Sequence, residues 1–229
     1  MGVTMTPGAA EVLAAIAAHP ATTLALVSGR RLVDLVELAQ PPVGTLLAAS
    51  HGVEHGVVEP GGPSVEPLEP TADERALITR LDDSLGEIAS AAEGAWVESK
   101  TFGRVLHTRQ ADPDAGAAAT ERAVAGPATW PGVHAIVGKS VVELAVRDVT
   151  KADGVAWVRE RAAADAGVAP AAVAVLFAGD DTTDEHALAS LREGDLGVKV
   201  GDGETAASVR VADEPAVVAL LREVLAARG

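Results

Sequence analysis

The sequence holds no cysteine, which removes a disulfide framework, a thiolate zinc cluster and a thiol nucleophile together. Positive charge is scarce: 18 Lys and Arg stand against 33 Asp and Glu, a formal net charge of −15. A body this acidic repels phosphate backbones and anionic headgroups, so nucleic acid and membrane surfaces are set aside as partners. Only four lysines occur, Lys100, Lys139, Lys151 and Lys199, so an anionic ligand must be met by a few placed cations. Long hydrophobic runs are absent too. The longest apolar stretch, Val168 to Gly179, is too short to span a bilayer, and no basic segment leads an apolar one at the N-terminus. The expectation is a soluble, cytoplasmic protein. What is present suits folding: 229 residues, 48% hydrophobic and 22% charged, suffice for one large domain or two modest ones.

Thr6 as N-cap, Pro7 at the first helical position and Val12, Leu13 and Ile16 on one face predict a helix over 7–18. An apolar run over 22–27 breaks at Ser28-Gly29-Arg30, and Leu32, Leu35, Val36 and Ala39 then follow at helical spacing. A second short run, 45–49, stops at Ser50-His51-Gly52. Apolar strand, tight turn and helix is the pattern of a parallel sheet covered on both faces. From about Val57 the texture changes, with Pro60, Gly61, Gly62, Pro63, Pro67 and Pro70 marking a boundary. Beyond it the pattern reads helix (72–92), hairpin (95–110), helix (115–124) and hairpin (133–146), an inserted α+β unit. The parallel pattern resumes with a helix from Thr150-Lys151 to a Gly167 cap and a strand over 173–178. After a helix to Leu191 come strands at 196–200 and 209–211 and a last helix over 214–227. The division expected is a core of 1–56 and 147–229 around an insert of 57–146.

Ligands of open parallel sheets sit at the carboxyl ends of strands, and three such ends here carry suitable polar residues. Ser28 offers a hydroxyl and its turn offers N–H donors, with Arg30 and Arg31 opening a helix. Cations there oppose the helix dipole, and a bound anion would reverse that; a solvated turn with outward arginines is the plainer alternative. Lys151 opens its helix in the same way. In Gly179-Asp180-Asp181-Thr182-Thr183-Asp184-Glu185, Thr182 and Glu185 can form a capping box. Three aspartates at a buried strand's end also suit a hard cation, Mg²⁺ first, because every available ligand is oxygen. The histidines show no ligand spacing, and Trp96, Trp130 and Trp157 read as packing residues, Trp96 beside Glu98 and Lys100 doubling as a sugar platform.

Ser28-Gly29-Arg30, Lys151 and the Gly-Asp-Asp-x-x-Asp of 179–184 resemble, in order, the second to fourth motifs of haloacid dehalogenase (HAD) phosphatases. The finer resemblance, over nearly the whole chain, is to trehalose-6-phosphate phosphatases. It rests on Ser50-His51-Gly52, Trp96-Val97-Glu98-x-Lys100, His107-x-Arg109, Gly138-Lys139 to Glu143-Leu144, and Val175 through Glu185. The resemblance implies an α/β, Rossmann-like core with a parallel sheet and an inserted α+β cap. It also implies Mg²⁺-assisted hydrolysis of trehalose 6-phosphate through an aspartyl-phosphate, a small-molecule sugar phosphate as the partner and a monomeric protein. Ser28 and Lys151 would hold the phosphoryl group, and Asp180, Asp181 and Asp184 would serve Mg²⁺. Arg30, His51, Glu98, Lys100, Arg109, Lys139 and Glu143 would meet the substrate.

Two features depart from the pattern. Ala145-Val146 stands where the family commonly has Arg-Pro. The family's opening strand, ending in Asp-x-Asp-Gly-Thr with the nucleophile and general acid, is also missing, for the one Asp-x-Asp here, Asp112-Pro113-Asp114, reads as a turn or helix start. Omitting such a central strand should cost on the order of 10 kcal/mol in buried side chains and hydrogen bonds. The expectations are therefore a start earlier than Met1 and no turnover by these 229 residues. The rival readings are a non-catalytic sugar-phosphate sensor or regulatory subunit and a phosphatase for another sugar phosphate, the latter because of Ala145 and only five aromatic residues.

Overall fold

The computed structural model describes residues 5–66 and 69–228. Met1, on which the expected earlier start turns, and Pro67 of the Pro/Gly-rich stretch lie outside them. In chain order the elements begin with α1 (Ala9–Ala18), β1 (Ala25–Val27), α2 (Leu32–Ala39), β2 (Leu46–Ala49), β3 (Glu54–Glu59) and β4 (Gly62–Val65). Next come α3 (Ala72–Ser90), β5 (Trp96–Lys100), β6 (Gly103–His107), α4 (Pro113–Ala125), β7 (His134–Gly138) and β8 (Val141–Ala145). The last are α5 (Lys151–Ala166), β9 (Leu176–Gly179), α6 (Asp184–Ala189), β10 (Leu196–Val200), β11 (Val209–Val211) and α7 (Glu214–Arg228). They fall into two compact units, Met1–Glu66 with Val149–Gly229, and Pro67–Asp148. Residues 57–66, expected in the insert, stay in the first unit, where Pro60 and Gly61 turn a hairpin and β4 pairs antiparallel with β3, while Arg147 and Asp148, expected in the core, fall in the second.

In the first unit β1 and β2 run parallel in the register Leu26↔Leu47 and Val27↔Ala48, and strand alternation sends these two rows to opposite faces. Leu26, Leu47 and Ala49 pack with Leu32 and Leu35 of α2. Val27 belongs instead to the cluster of Val155 on α5 and Phe177 on β9, and a Cβ on Gly154 would meet both Val27 and Ala48. The sheet is thus sandwiched by α2 and α5. The parallel layer is not continuous: β1 ends the order β1-β2-β3-β4 and β9 ends the separate order β11-β10-β9. Both strands that lead into Ser28 and Asp180 are sheet edges among the described residues.

Two predicted ends move. β9 starts at Leu176 rather than Val173, since the Val173 carbonyl accepts from Arg159 and the Val175 N–H donates to Asp195. The first helix is capped at Gly8 rather than Thr6, whose carbonyl instead accepts the Ala9 N–H. Asp112 caps α4 with Pro113 in its first turn, as expected of a helix start.

The second unit is a four-stranded antiparallel sheet in the order β5-β6-β8-β7. Leu106, Val142 and Leu144 are fully buried on one face, where Arg104 of β6 reaches Asp82 of α3. The alternate positions, Trp96, Glu98, Lys100, His107 and Glu143, share the other face by register. Among the described residues no helix is long and apolar enough to cross a membrane.

Candidate functional site

The residues predicted to carry chemistry separate into two groups, one in each unit. In the first, Asp184 is the organising residue. Its carboxylate is buried, Oδ1 accepting from Lys151 Nζ at 2.6 Å while Oδ2 accepts the backbone N–H groups of Asp180 (3.0 Å) and Asp181 (2.9 Å). Gly179 makes room for this: a Cβ there would fall 2.5 Å from the Asp184 side chain. Lys151 lies at the first position of α5, behind a capping box in which Thr150 and Asp153 satisfy the orphan amides. The pair is 8% and 7% exposed, and with three donors Lys151 can hold Asp184 and still present N–H to an anion.

Ser28 ends β1. Its hydroxyl accepts the Arg30 N–H at 3.2 Å, and its carbonyl accepts the His51 N–H at 2.9 Å. His51 follows β2 in a left-handed conformation (φ 60°), its ring against Gly29. The next residue, Gly52 (φ 104°), touches the start of α5, where a Cβ would meet the Thr150 carbonyl at 2.6 Å. The loops after β1 and β2 are therefore packed against the helix that carries Lys151.

Three expectations need correction here. The start of α2 is not an open anion site: Glu54, unnoticed in the sequence, accepts the Leu32 N–H at 2.7 Å, and Arg31 pairs with Asp34, leaving Arg30 exposed. The Thr182–Glu185 capping box does not form, because Glu185 accepts from Thr205 Oγ (3.1 Å) and the Ala206 N–H (2.9 Å). The three aspartates do not gather as a cage, and no three acidic or histidine side chains do so among the described residues. Asp181 closes its own loop, accepting from the Thr182 N–H and hydroxyl and from the Thr183 hydroxyl. Burial raises its pKa, but these hydrogen bonds and the charge of Lys151 outweigh burial and hold it below the ordinary carboxylate value. Asp180 is exposed. The donor set suits a hard dication held by one carboxylate and retained water, and it does not suit a three-carboxylate site.

Sequence reasoning also passed over Lys199, which is buried in β10 and donates to the Asp180 carbonyl at 2.6 Å. A lysine inside the apolar run 196–200 was the available signal.

In the second unit, Lys100 Nζ lies 2.7 Å from Glu143 Oε1, and His107 Nε2 lies 2.9 Å from Glu98 Oε2 while its ring stacks on Trp96 at 3.8 Å. Acceptors, donors and an aromatic plane on one sheet face suit a polyhydroxylated ligand. Arg109 and Lys139 stand outside this group, exposed in the turns after β6 and between β7 and β8. Arg147, two residues after Ala145, lies over the Phe102 ring and pairs with Glu74.

A parallel α/β unit with an inserted α+β unit, with a serine and aspartates following its strands and a lysine opening a helix, has the fold of the solved HAD-like hydrolases. The solved HAD-like hydrolase of Bacillus subtilis superposes with a TM-score of 0.62 at 12% identity, covering 96% of this chain and 94% of that one. A sequence profile of the trehalose-phosphatase family matches residues 1–215, and the chain belongs to that family. The trehalose-6-phosphate phosphatase of Escherichia coli strain K12 is 35% identical over 195 residues, 85% of this chain and 68% of that protein. Other relatives are longer, the chain spanning 43% of the trehalose-phosphate phosphatase of Mycobacterium leprae. The C-terminal domain of the Candida albicans trehalose-6-phosphate phosphatase gives a TM-score of 0.70 at 21% identity, with 99% and 89% coverage. The family is one of phosphatases that act on a sugar phosphate, and HAD-like phosphatases generally use a divalent metal.

Proposed function

We propose that the protein serves the hydrolysis of trehalose 6-phosphate to trehalose and phosphate, as a monomer in the cytoplasm. Ser28 and Lys151 would hold the phosphoryl group, and Asp180 would hold Mg²⁺. Glu98, Lys100, His107 and Glu143 would offer hydrogen bonds to the sugar. The observation that carries this reading is the buried Lys151–Asp184 pair, which fixes both a phosphate-reaching cation and the two amides of the acidic loop. Mg²⁺, when bound, supplies charge stabilisation at the phosphoryl oxygens. Lys151 acts as a compact point charge on them, and the Ser28 hydroxyl donates a hydrogen bond.

In the aspartyl-phosphate route the nucleophile and general acid come from an Asp-x-Asp-Gly-Thr segment, which these 229 residues do not contain. They are expected to bind without turnover. Calorimetry with trehalose 6-phosphate in Mg²⁺, alongside a phosphate-release assay, tests both halves. Heat without release supports the reading. Release at ordinary phosphatase rates contradicts the account of catalysis, and trehalose binding as tightly as its phosphate contradicts the anion site.

A further inference from the structure

Strand β10 is apolar apart from Lys199, whose side chain is 5% exposed. A buried ammonium must be partnered, because its desolvation is costly. Register sets Lys199 beside Gly179, at the end of β9. From there Nζ donates to the Asp180 carbonyl at 2.6 Å and lies 3.6 Å from Glu185 Oε1. That Glu185 oxygen is buried and takes no hydrogen bond, while Oε2 is held by Thr205 and Ala206. The acidic segment is thus gripped twice: Asp184 holds the N–H groups of Asp180 and Asp181, and Lys199 holds the Asp180 carbonyl.

We infer that Lys199 is a positioning residue for the acidic loop, fixing the direction in which the Asp180 carboxylate leaves β9 and so setting the loop's affinity for Mg²⁺. This rests on the proposed role of Asp180 as the metal-holding carboxylate. Charge and geometry make opposite forecasts. A cation beside the loop repels a dication, so a lysine acting through charge alone would weaken Mg²⁺ binding and its removal would strengthen it. A lysine acting through position does the reverse.

The test uses the 229-residue chain and its Lys199→Met and Lys199→Arg variants, with Mg²⁺ calorimetry and with hydrogen exchange on metal-free protein. Lys199→Met is expected to weaken Mg²⁺ binding at least tenfold and to speed exchange of the Asp180 and Asp181 amides at least tenfold. Amides of Leu46–Ala49 should be unaffected, and Lys199→Arg should recover most of both losses. Unchanged or tighter Mg²⁺ binding overturns the inference. So does faster exchange throughout the protein, which is what a merely structural lysine would give. If the parent chain binds no Mg²⁺, the metal reading of Asp180 fails on its own, and the exchange of the two amides decides whether Lys199 positions the loop. Should Lys199→Met not fold, Glu185→Gln removes the counter-charge at a partly exposed side chain. Because losing a nearby negative charge itself weakens Mg²⁺ binding, the readout is exchange of the Asp180 and Asp181 amides in metal-free protein: about threefold faster exchange confined to them is expected, and no change overturns the inference.

Discussion

Among the described residues, each unit holds a lysine–carboxylate pair at hydrogen-bond distance, Lys151–Asp184 at 2.6 Å and Lys100–Glu143 at 2.7 Å. The distances match but the settings differ. Asp184 is fully engaged, with its second oxygen on two backbone amides, and both partners are buried. Glu143 and Lys100 lie on neighbours of one central strand of an antiparallel sheet, and are 17% and 11% exposed. One pair shapes the backbone around it. The other bridges two strands whose register the sheet has already set. The phosphoryl-binding role proposed for the first pair calls for such rigidity, because fixed dipoles and charges act without reorganisation. A sugar-binding face can use the second.

The largest expected effect comes from breaking the buried pair. Asp184→Ala leaves Lys151 uncompensated and two amides orphaned, and should cost about 3–5 kcal/mol in urea unfolding. Glu143→Ala leaves Lys100 without this partner but orphans no backbone amide, and should cost less, about 1–2 kcal/mol; equal losses would erase the contrast.

Acid sharpens the comparison next, because each unit also holds an arginine-paired carboxylate. Burial raises the pKa of Asp195, but hydrogen bonds from Arg159, Arg192 and Val175 outweigh it and bring it to about 2. Glu74 is lowered to about 2 chiefly by its hydrogen bond from Arg147. Both are depressed in the folded state, so their stabilisation is complete above the unfolded values of 3.8 and 4.5 and is lost as pH falls toward about 2. Asp195→Asn should lower stability at pH 5 and flatten its decline below pH 4, as read by urea unfolding at several pH values. A steeper decline in the variant would reverse the assignment.

How much of this was visible in the sequence follows the range of each interaction. The α5 cap and the bounds of β10 and β11 are local patterns, and they stand where they were read. The Thr182–Glu185 box failed because Glu185 has partners some twenty residues away. Residues 173–175 were read as strand, but the Val173 carbonyl and the Val175 N–H are bound by the Arg159 and Asp195 side chains, while the Val175 carbonyl accepts the Leu196 N–H. Ser28 and Lys151 were read at a strand end and a helix start, and those positions are where the structure has them. Lys199 and Glu54 were passed over, since their importance rests on groups distant in sequence.

A smaller effect separates stability from binding. Asp180→Asn, at an exposed side chain, should change unfolding by less than about 0.5 kcal/mol while weakening Mg²⁺ binding about tenfold. A large loss of stability would show that Asp180 belongs to the scaffold.

The central claim is that the buried pair in the first unit anchors the phosphoryl group. Calorimetric titration of trehalose 6-phosphate into the 229-residue chain and its Lys151→Met variant, in Mg²⁺ and with folding of both checked by circular dichroism, tests it most directly. The account predicts at least a hundredfold loss of affinity in the folded variant. Unchanged affinity in a folded Lys151→Met protein would contradict it.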